Sequence, residues 1–151
     1  MYSIPVGFHF KVEFGFGEPI GDNLFQEVSG LSSQINTEEV KEGGINTYTH
    51  KIPSGVKYGN LTLKRGMFVD SKVFEWCQAA IENFDFSPVD VNVTLLNALH
   101  LPLAAWSFTK AYPVKWSISA FKAQGNELVI ESLELAYAYF RRVPVDFPVP
   151  I

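Results

Sequence analysis

The chain has 151 residues, enough for one domain with a full hydrophobic core, and 47% of them are hydrophobic. A formal net charge of −4 and a pI near 5.3 exclude the basic footprint of a general nucleic-acid binder. The single cysteine, Cys77, excludes an internal disulfide.

In chain order, Phe8, Phe10, Val12 and Phe14 alternate with His9, Lys11 and Glu13, the period of a half-buried strand. Gly15 to Gly21, with Pro19 inside it, reads as a turn region. Leu24 to Leu31 is expected as a second strand, and Ile35 to Glu42 as a third carrying Glu38, Glu39 and Glu42. The segment Gly43–Gly59 holds four glycines and one proline, few apolar residues and no helical period, and is expected to be a long extended loop. Leu61, Leu63 and Met67 start the next strand.

Asp70 or Ser71 is placed to cap a helix in which Val73, Trp76, Cys77, Ala80, Ile81 and Phe84 recur at three- and four-residue spacing, ending near Asn83. Val91, Val93 and Leu95 share one face of a strand over Val89–Asn97. Trp106, Phe108 and Tyr112 share a face of the next, and Trp116–Lys122 reads as a further strand before a turn at Gly125–Asn126. Leu128–Phe140 has the composition of a helix, but Leu133, Leu135, Tyr137 and Tyr139 fall at period two, which favours a strand. The tail, 143–151, holds Pro144, Pro148 and Pro150 and is expected to be irregular.

About seven strands and one helix, together with thirteen Phe and six Tyr, give a mainly-β domain spanning 1–151, built as a barrel or a sandwich. No Lys or Arg precedes Lys11 and no apolar run stands before it, so the N-terminus does not read as a signal peptide, and synthesis in the cytoplasm is expected. Asn60-Leu61-Thr62 and Asn92-Val93-Thr94 match a glycosylation sequon but read better as strand residues.

Catalytic chemistry finds little purchase. Gly15-Phe16-Gly17-Glu18-Pro19-Ile20-Gly21 has the wrong spacing for a dinucleotide loop and precedes a strand, not a helix. His9, His50 and His100 have no ligand spacing among themselves or with Cys77, so no metal or other cofactor is expected. Cys77 lies on the apolar helix stripe and reads as core. Asp85, Asp90 and the glutamates read as solvated carboxylates, and Lys64-Arg65 as strand residues.

One charge pattern stands out. No acidic residue lies between Glu42 and Asp70, an interval that holds His50, Lys51, Lys57, Lys64 and Arg65, while Glu38, Glu39 and Glu42 come just before it. An acidic strand leading into a basic segment fits either solvated faces or a head-to-tail interface between copies.

Six short pieces occur in order: Phe25-Gln26-Glu27-Val28-Ser29-Gly30-Leu31, Glu42-Gly43-Gly44-Ile45-Asn46, Tyr58-Gly59-Asn60-Leu61-Thr62-Leu63-Lys64-Arg65-Gly66, Val93-Thr94-Leu95-Leu96-Asn97, Trp106 to Pro113, and Glu131-Ser132-Leu133-Glu134-Leu135-Ala136. In this order they resemble the tail-tube proteins of contractile phage tails and of phage-tail-like extracellular contractile injection systems, over roughly Phe8 to Tyr139. The resemblance implies a β-barrel of two packed antiparallel sheets with one flanking α-helix and a long extended loop. It implies a structural, non-enzymatic subunit that forms hexameric rings stacked into a hollow tube, as main tube protein or tube initiator. The implied partners are the chain itself, the sheath, and baseplate, hub and tube-terminator proteins, with cargo in the lumen and no membrane insertion. Ring interfaces are then expected at Glu38, Glu39, Glu42, Gly43, Gly44, Asn46, Tyr48, Lys51, Lys57 and Lys64. Val143–Ile151 maps onto no part of the family. From the residues alone, a monomeric ligand-binding β-barrel lined by aromatics is the alternative.

Overall fold

The computed structural model describes residues 9–17, 24–40, 49–66, 71–119 and 129–145. Phe8, Met67, the Gly125–Asn126 turn and the segment 41–48 lie outside them. Ten strands and one helix follow in order: β1 His9–Phe14, β2 Leu24–Phe25, β3 Glu27–Ser29, β4 Ser33–Val40, β5 His50–Tyr58, β6 Leu61–Gly66, α1 Lys72–Asn83, β7 Val89–Leu96, β8 Pro102–Ile118, β9 Ile130–Ala136 and β10 Tyr139–Val143.

Two antiparallel sheets share the 17-residue β8. Its first half pairs with β7 on one side and β10 on the other, and its second half pairs with β9. The order runs β2-β1-β7-β8-β9-β6-β3. The two ends of that path are one chain run: Leu24–Phe25 pair with β1, and Glu27–Ser29 pair with β6. Between them Gln26 donates its N–H to Lys64 O at 2.9 Å. The wall is therefore barrel-like without being a continuously hydrogen-bonded cylinder, and a strand that changes partner at Gln26 joins the two sheets.

The interior is filled by the period-two residues of each strand. Phe10, Val12 and Phe14 of β1, Leu61 and Leu63 of β6, Val91 and Val93 of β7, Phe108 of β8, and Leu133 and Leu135 of β9 are buried in one cluster with Val73, Trp76 and Cys77 of α1. Among the described residues the aromatics of this interior pack on one another. Phe14 meets Trp76 edge-on at 5.7 Å, and Phe108 meets Tyr137 at 4.8 Å.

Bulges explain where the alternation misleads. Phe108 pairs with Val91 and Ala111 with Val89, so β8 carries an extra residue there. Lys110 takes φ +54, and its N–H is satisfied by Asp90 Oδ1 at 3.1 Å. The phase flips: Ala111 and Pro113 are buried, and Tyr112 points outward, not inward with Phe108 as expected. A second bulge follows Pro113, and the strand then continues to Ile118, so Trp116 belongs to the same strand and does not open a new one. The expected strand over Leu24–Leu31 is two short ones for the reason given above. The strand expected over Leu128–Phe140 is kinked at Tyr137–Ala138 into β9 and β10.

Helix α1 is capped by Ser71, whose hydroxyl accepts from Phe74 N at 3.0 Å. At the other end Phe84 adopts the left-handed conformation with φ 53, and Asp85 N–H returns to Ala79 O at 3.0 Å. Val73, Trp76, Cys77 and Ala80 are buried as expected. Ile81 and Phe84 are not: Phe84 is 82% exposed, because the left-handed cap turns it off the apolar stripe.

The helix is tied to the wall by a buried ionic network. Arg65 and Glu131, only 3% and 5% exposed, face each other across the β6–β9 ladder. Arg65 Nε donates to Glu131 Oε2 at 3.3 Å, and an Arg65 guanidinium N–H donates to the Ser71 hydroxyl at 2.8 Å. Trp116 Nε1 donates to Glu131 Oε1 at 2.9 Å, and the guanidinium lies 4.8 Å from the centre of the Phe25 ring. Removing one partner strands a charge, which typically costs about 3–5 kcal/mol, whereas replacing both with apolar residues is often close to neutral. Glu131→Ala is expected to destabilise the subunit by about that amount in chemical denaturation, and Arg65→Met with Glu131→Leu by much less. Equal losses in the two variants would show that packing, not charge pairing, dominates the site.

Candidate subunit interface

The segment expected as a loop over Gly43–Gly59 is, over its described part, a strand. Among the described strands β5 pairs only with β4, and the two form a separate two-stranded ribbon off the barrel. The register runs from Ser33↔Tyr58 to Val40↔His50. It slips between Asn36 and Thr37, where Ser54 is the extra residue of β5, next to Pro53. Ile52 and Val56 have the same parity in sequence but fall on opposite faces because of this slip, so no alternation is visible in the sequence.

Every residue of β4 and all of β5 except Tyr58 are exposed. One face carries Ile35 opposite Val56, then Thr37 opposite Pro53, then Glu39 opposite Lys51. The other carries Gln34 opposite Lys57, Glu38 opposite Ile52 and Val40 opposite His50. Four β-branched apolar residues, Ile35, Val40, Ile52 and Val56, are thus presented to solvent on both sides. The base of the ribbon is anchored. Tyr58 packs edge-on against Phe140 at 5.3 Å, and Tyr137 donates its hydroxyl to Gly59 O at 2.6 Å. Gly30, at φ +86, lies so close to the Asn60 carbonyl that a Cβ would collide with it.

The expected interface residues distribute as follows. Glu39 and Lys51 are brought together, as cross-strand neighbours within one chain. Glu38 and Lys57 lie on the ribbon's other face, opposite Ile52 and Gln34. Lys64 belongs to the barrel wall, half-buried between Glu27 and Ser132. Glu42, Gly43, Gly44, Asn46 and Tyr48 lie outside the described residues. The apolar members of the ribbon carry no charge signal and escaped the sequence reading.

Further contacts bear on chemistry. His9 and His100, without any sequence spacing to join them, meet through Nε2 and Nδ1 at 2.8 Å at the β7–β8 turn. Among the described residues no group of three or more His, Cys, Asp or Glu converges as a metal site, and no helix is long and apolar enough to cross a membrane. Cys77 is buried in the core cluster. A surface depression is lined by Arg142 to Val145, outside the barrel interior. β10 pairs with β8 alone among the described strands, so its outer edge is open, as are both outer edges of the ribbon.

Among the described residues the chain combines a packed β wall with open strand edges and a projecting two-stranded ribbon. The chain matches the model of the T4-like virus tail tube protein gp19 family over residues 6–141, and it belongs to that family: it is a structural subunit of a tail tube. Among solved structures it is similar to a chain of the anti-feeding prophage (AFP) baseplate, determined with 6-fold symmetry, at 28% identity and TM-score 0.76, covering 95% of this chain and 96% of that one. It is also similar to a chain of the sheath–tube complex of the extracellular contractile injection system PVC in its extended state, at 26% identity and TM-score 0.74, covering 95% and 93%. Hcp1 from Salmonella typhimurium shares the fold at 16% identity and TM-score 0.52, covering 91% and 86%. No curated protein matches the chain's sequence.

The Tyr137 phenol is held above its ordinary pKa of 10.0, first by burial and second by electrostatic interaction with Tyr58 beside it. Because the folded state raises this pKa, it retains the proton more strongly than the unfolded chain. The resulting stability is full below pH 10 and is lost as pH rises through the higher folded value. Tyr137→Phe is expected to flatten the fall in unfolding midpoint above pH 10, measured by thermal melts against the wild type. An unchanged profile would rule out Tyr137 as the group responsible.

Proposed function

We propose that the chain forms hexameric rings that stack into the hollow inner tube of a contractile injection particle or phage tail, and that the β4–β5 ribbon is its assembly arm. The exposed ribbon carries this reading. A two-stranded ribbon wet on both faces is marginal in water by itself, and open edges with β-branched residues invite pairing. The barrel of the same chain leaves the ribbon uncovered, so a neighbouring copy is the natural cover. Membership of a tube family supports the same conclusion, as does similarity to chains of a baseplate and a sheath–tube complex.

The work of such a subunit is mechanical, not catalytic. A stiff wall is carried inside a sheath, meets baseplate and hub proteins at one end and a terminator at the other, and encloses a lumen open to cargo. Neither metal nor cofactor enters, and the chain itself does not insert in a membrane. Its similarity to baseplate and sheath–tube chains is nearly equal, so the assignment is to the tube stack as a whole, initiator included.

Electron microscopy of the purified protein is expected to show six-fold rings and tubes. Because assembly depends on concentration, a lone 17-kDa species across buffers at roughly tens of micromolar would count against it. The ribbon's part is isolated by joining Gln34 to Lys57 through Asn-Gly, a two-residue turn suited to a hairpin. This variant is expected to keep one cooperative unfolding transition and to lose stacking. Tubes from the shortened chain, or loss of the transition, would remove the ribbon from this role.

The charges are proposed to act between copies as well as within the ribbon. Glu38→Lys with Glu39→Lys is expected to block assembly, and mixing that chain with one carrying Lys51→Glu and Lys57→Glu to restore it in salt-sensitive mixed tubes. Each pair is weak, on the order of 0–1 kcal/mol, and matters through repetition around the ring. If the mixture assembles no better than either chain alone, the pairing is confined to single ribbons.

A further inference from the structure

Two exposed apolar displays lie at opposite ends of the β7–β8 hairpin, and neither takes part in the ribbon. At one end Phe84, 82% exposed, meets Phe86 edge-on at 4.8 Å, and Phe86 meets the outward Tyr112 at 5.7 Å. Ile81 is exposed beside them on the last turn of α1. At the other end Leu99, 77% exposed, and Leu101 project from the turn that joins β7 to β8. The strand between them has eight residues, which sets the displays roughly 25 Å apart.

Both displays are rigid, and both use backbone that a side chain rarely adopts. Phe84 takes φ 53 at the helix cap, where glycine is the usual residue. His100 takes φ 61 at the centre of the turn. Asn97 Oδ1 accepts from Leu99 N at 2.9 Å and from Leu101 N at 3.0 Å, Asn97 N donates to Leu101 O at 2.9 Å, and His9 braces His100 from β1. A fold that holds left-handed backbone in order to turn large apolar groups into water has a use for them there. Pre-organisation of this kind lowers the entropic cost of docking.

We propose that the Phe84–Phe86–Tyr112 patch of one copy receives the Leu99–Leu101 turn of the next copy, head to tail. The occupant is a second copy because the two displays are different surfaces on opposite ends of the same chain. That is the arrangement of a heterologous contact, which repeats around a ring or along a stack. The polar surroundings are compatible as well: Glu82 and Asp85 flank the aromatic end, whereas residues 97–102 carry no acid, so the two ends meet without like-charge repulsion. The proposal rests on the tube reading and adds to it a second contact, independent of the ribbon.

The test is cysteine cross-linking in assembled tubes of a Cys77→Ala chain. With Phe84→Cys and Leu99→Cys in the same chain, mild oxidation is expected to give a covalent ladder beyond the dimer on a denaturing gel, and either cysteine alone is expected to leave monomers. Dimers from Phe84→Cys alone would show a two-fold contact of like patches and overturn the proposal. So would tubes whose double-cysteine subunits stay monomeric, although the tube reading would stand. A wild-type chain that forms no tubes overturns the tube reading and this contact with it. Independently of cross-linking, Phe84→Gly and Phe84→Asp are expected to lower tube yield at least tenfold while Phe84→Leu retains it. Glycine relaxes the left-handed cap, so the subunit's unfolding midpoint should stay level or rise in Phe84→Gly. Undiminished tube yield in Phe84→Asp overturns the proposal.

Discussion

The buried Arg65–Glu131 pair is the tie on which the arrangement of this fold depends. Burying two charges is expensive, and the cost is met here only because each finds further partners: the Ser71 hydroxyl and the Phe25 ring for Arg65, the Trp116 indole for Glu131. Those partners come from α1's cap, β2 and β8, while the pair itself bridges β6 and β9. One network therefore fixes the helix, the joining strand and the second sheet relative to one another. An apolar cluster alone would tolerate small slips of the helix over the wall; a directional network of this kind does not.

With the wall fixed, small irregularities decide which residues face outward. The extra residue at Lys110 turns Tyr112 to the surface, where it joins Phe86 and Phe84. The extra residue at Ser54 divides Ile52 and Val56 between the two faces of the ribbon. In the first case one inserted residue converts a side chain that periodicity assigns to the interior into an exposed group; in the second it divides between two exposed faces a pair that periodicity assigns to one.

The molecule thus joins a packed apolar interior to a surface that is unfinished by the standards of a monomer. Its open strand edges, its uncovered ribbon and its two exposed apolar displays are liabilities in isolation, and the proposed assembly would cover them. That combination suits the role proposed for it, a tube subunit that associates with copies of itself.

The sequence by itself determined the mainly-β class, the position of α1 with its cap at Asp70 or Ser71, the burial of Cys77, and most inward residues of β1, β6, β7 and β9, since each of these follows from local period and capping chemistry. It also carried the family, through six ordered pieces. The tertiary structure alone decided that 50–58 is a strand, because the alternation is broken by a bulge whose partner lies in β4. It alone revealed the Arg65–Glu131 network and the meeting of His9 with His100, because residues 66 and 91 positions apart leave no mark on local pattern. The outward turn of Phe84 belongs there too: its spacing places it on the helix's apolar stripe, and only the left-handed cap carries it into solvent.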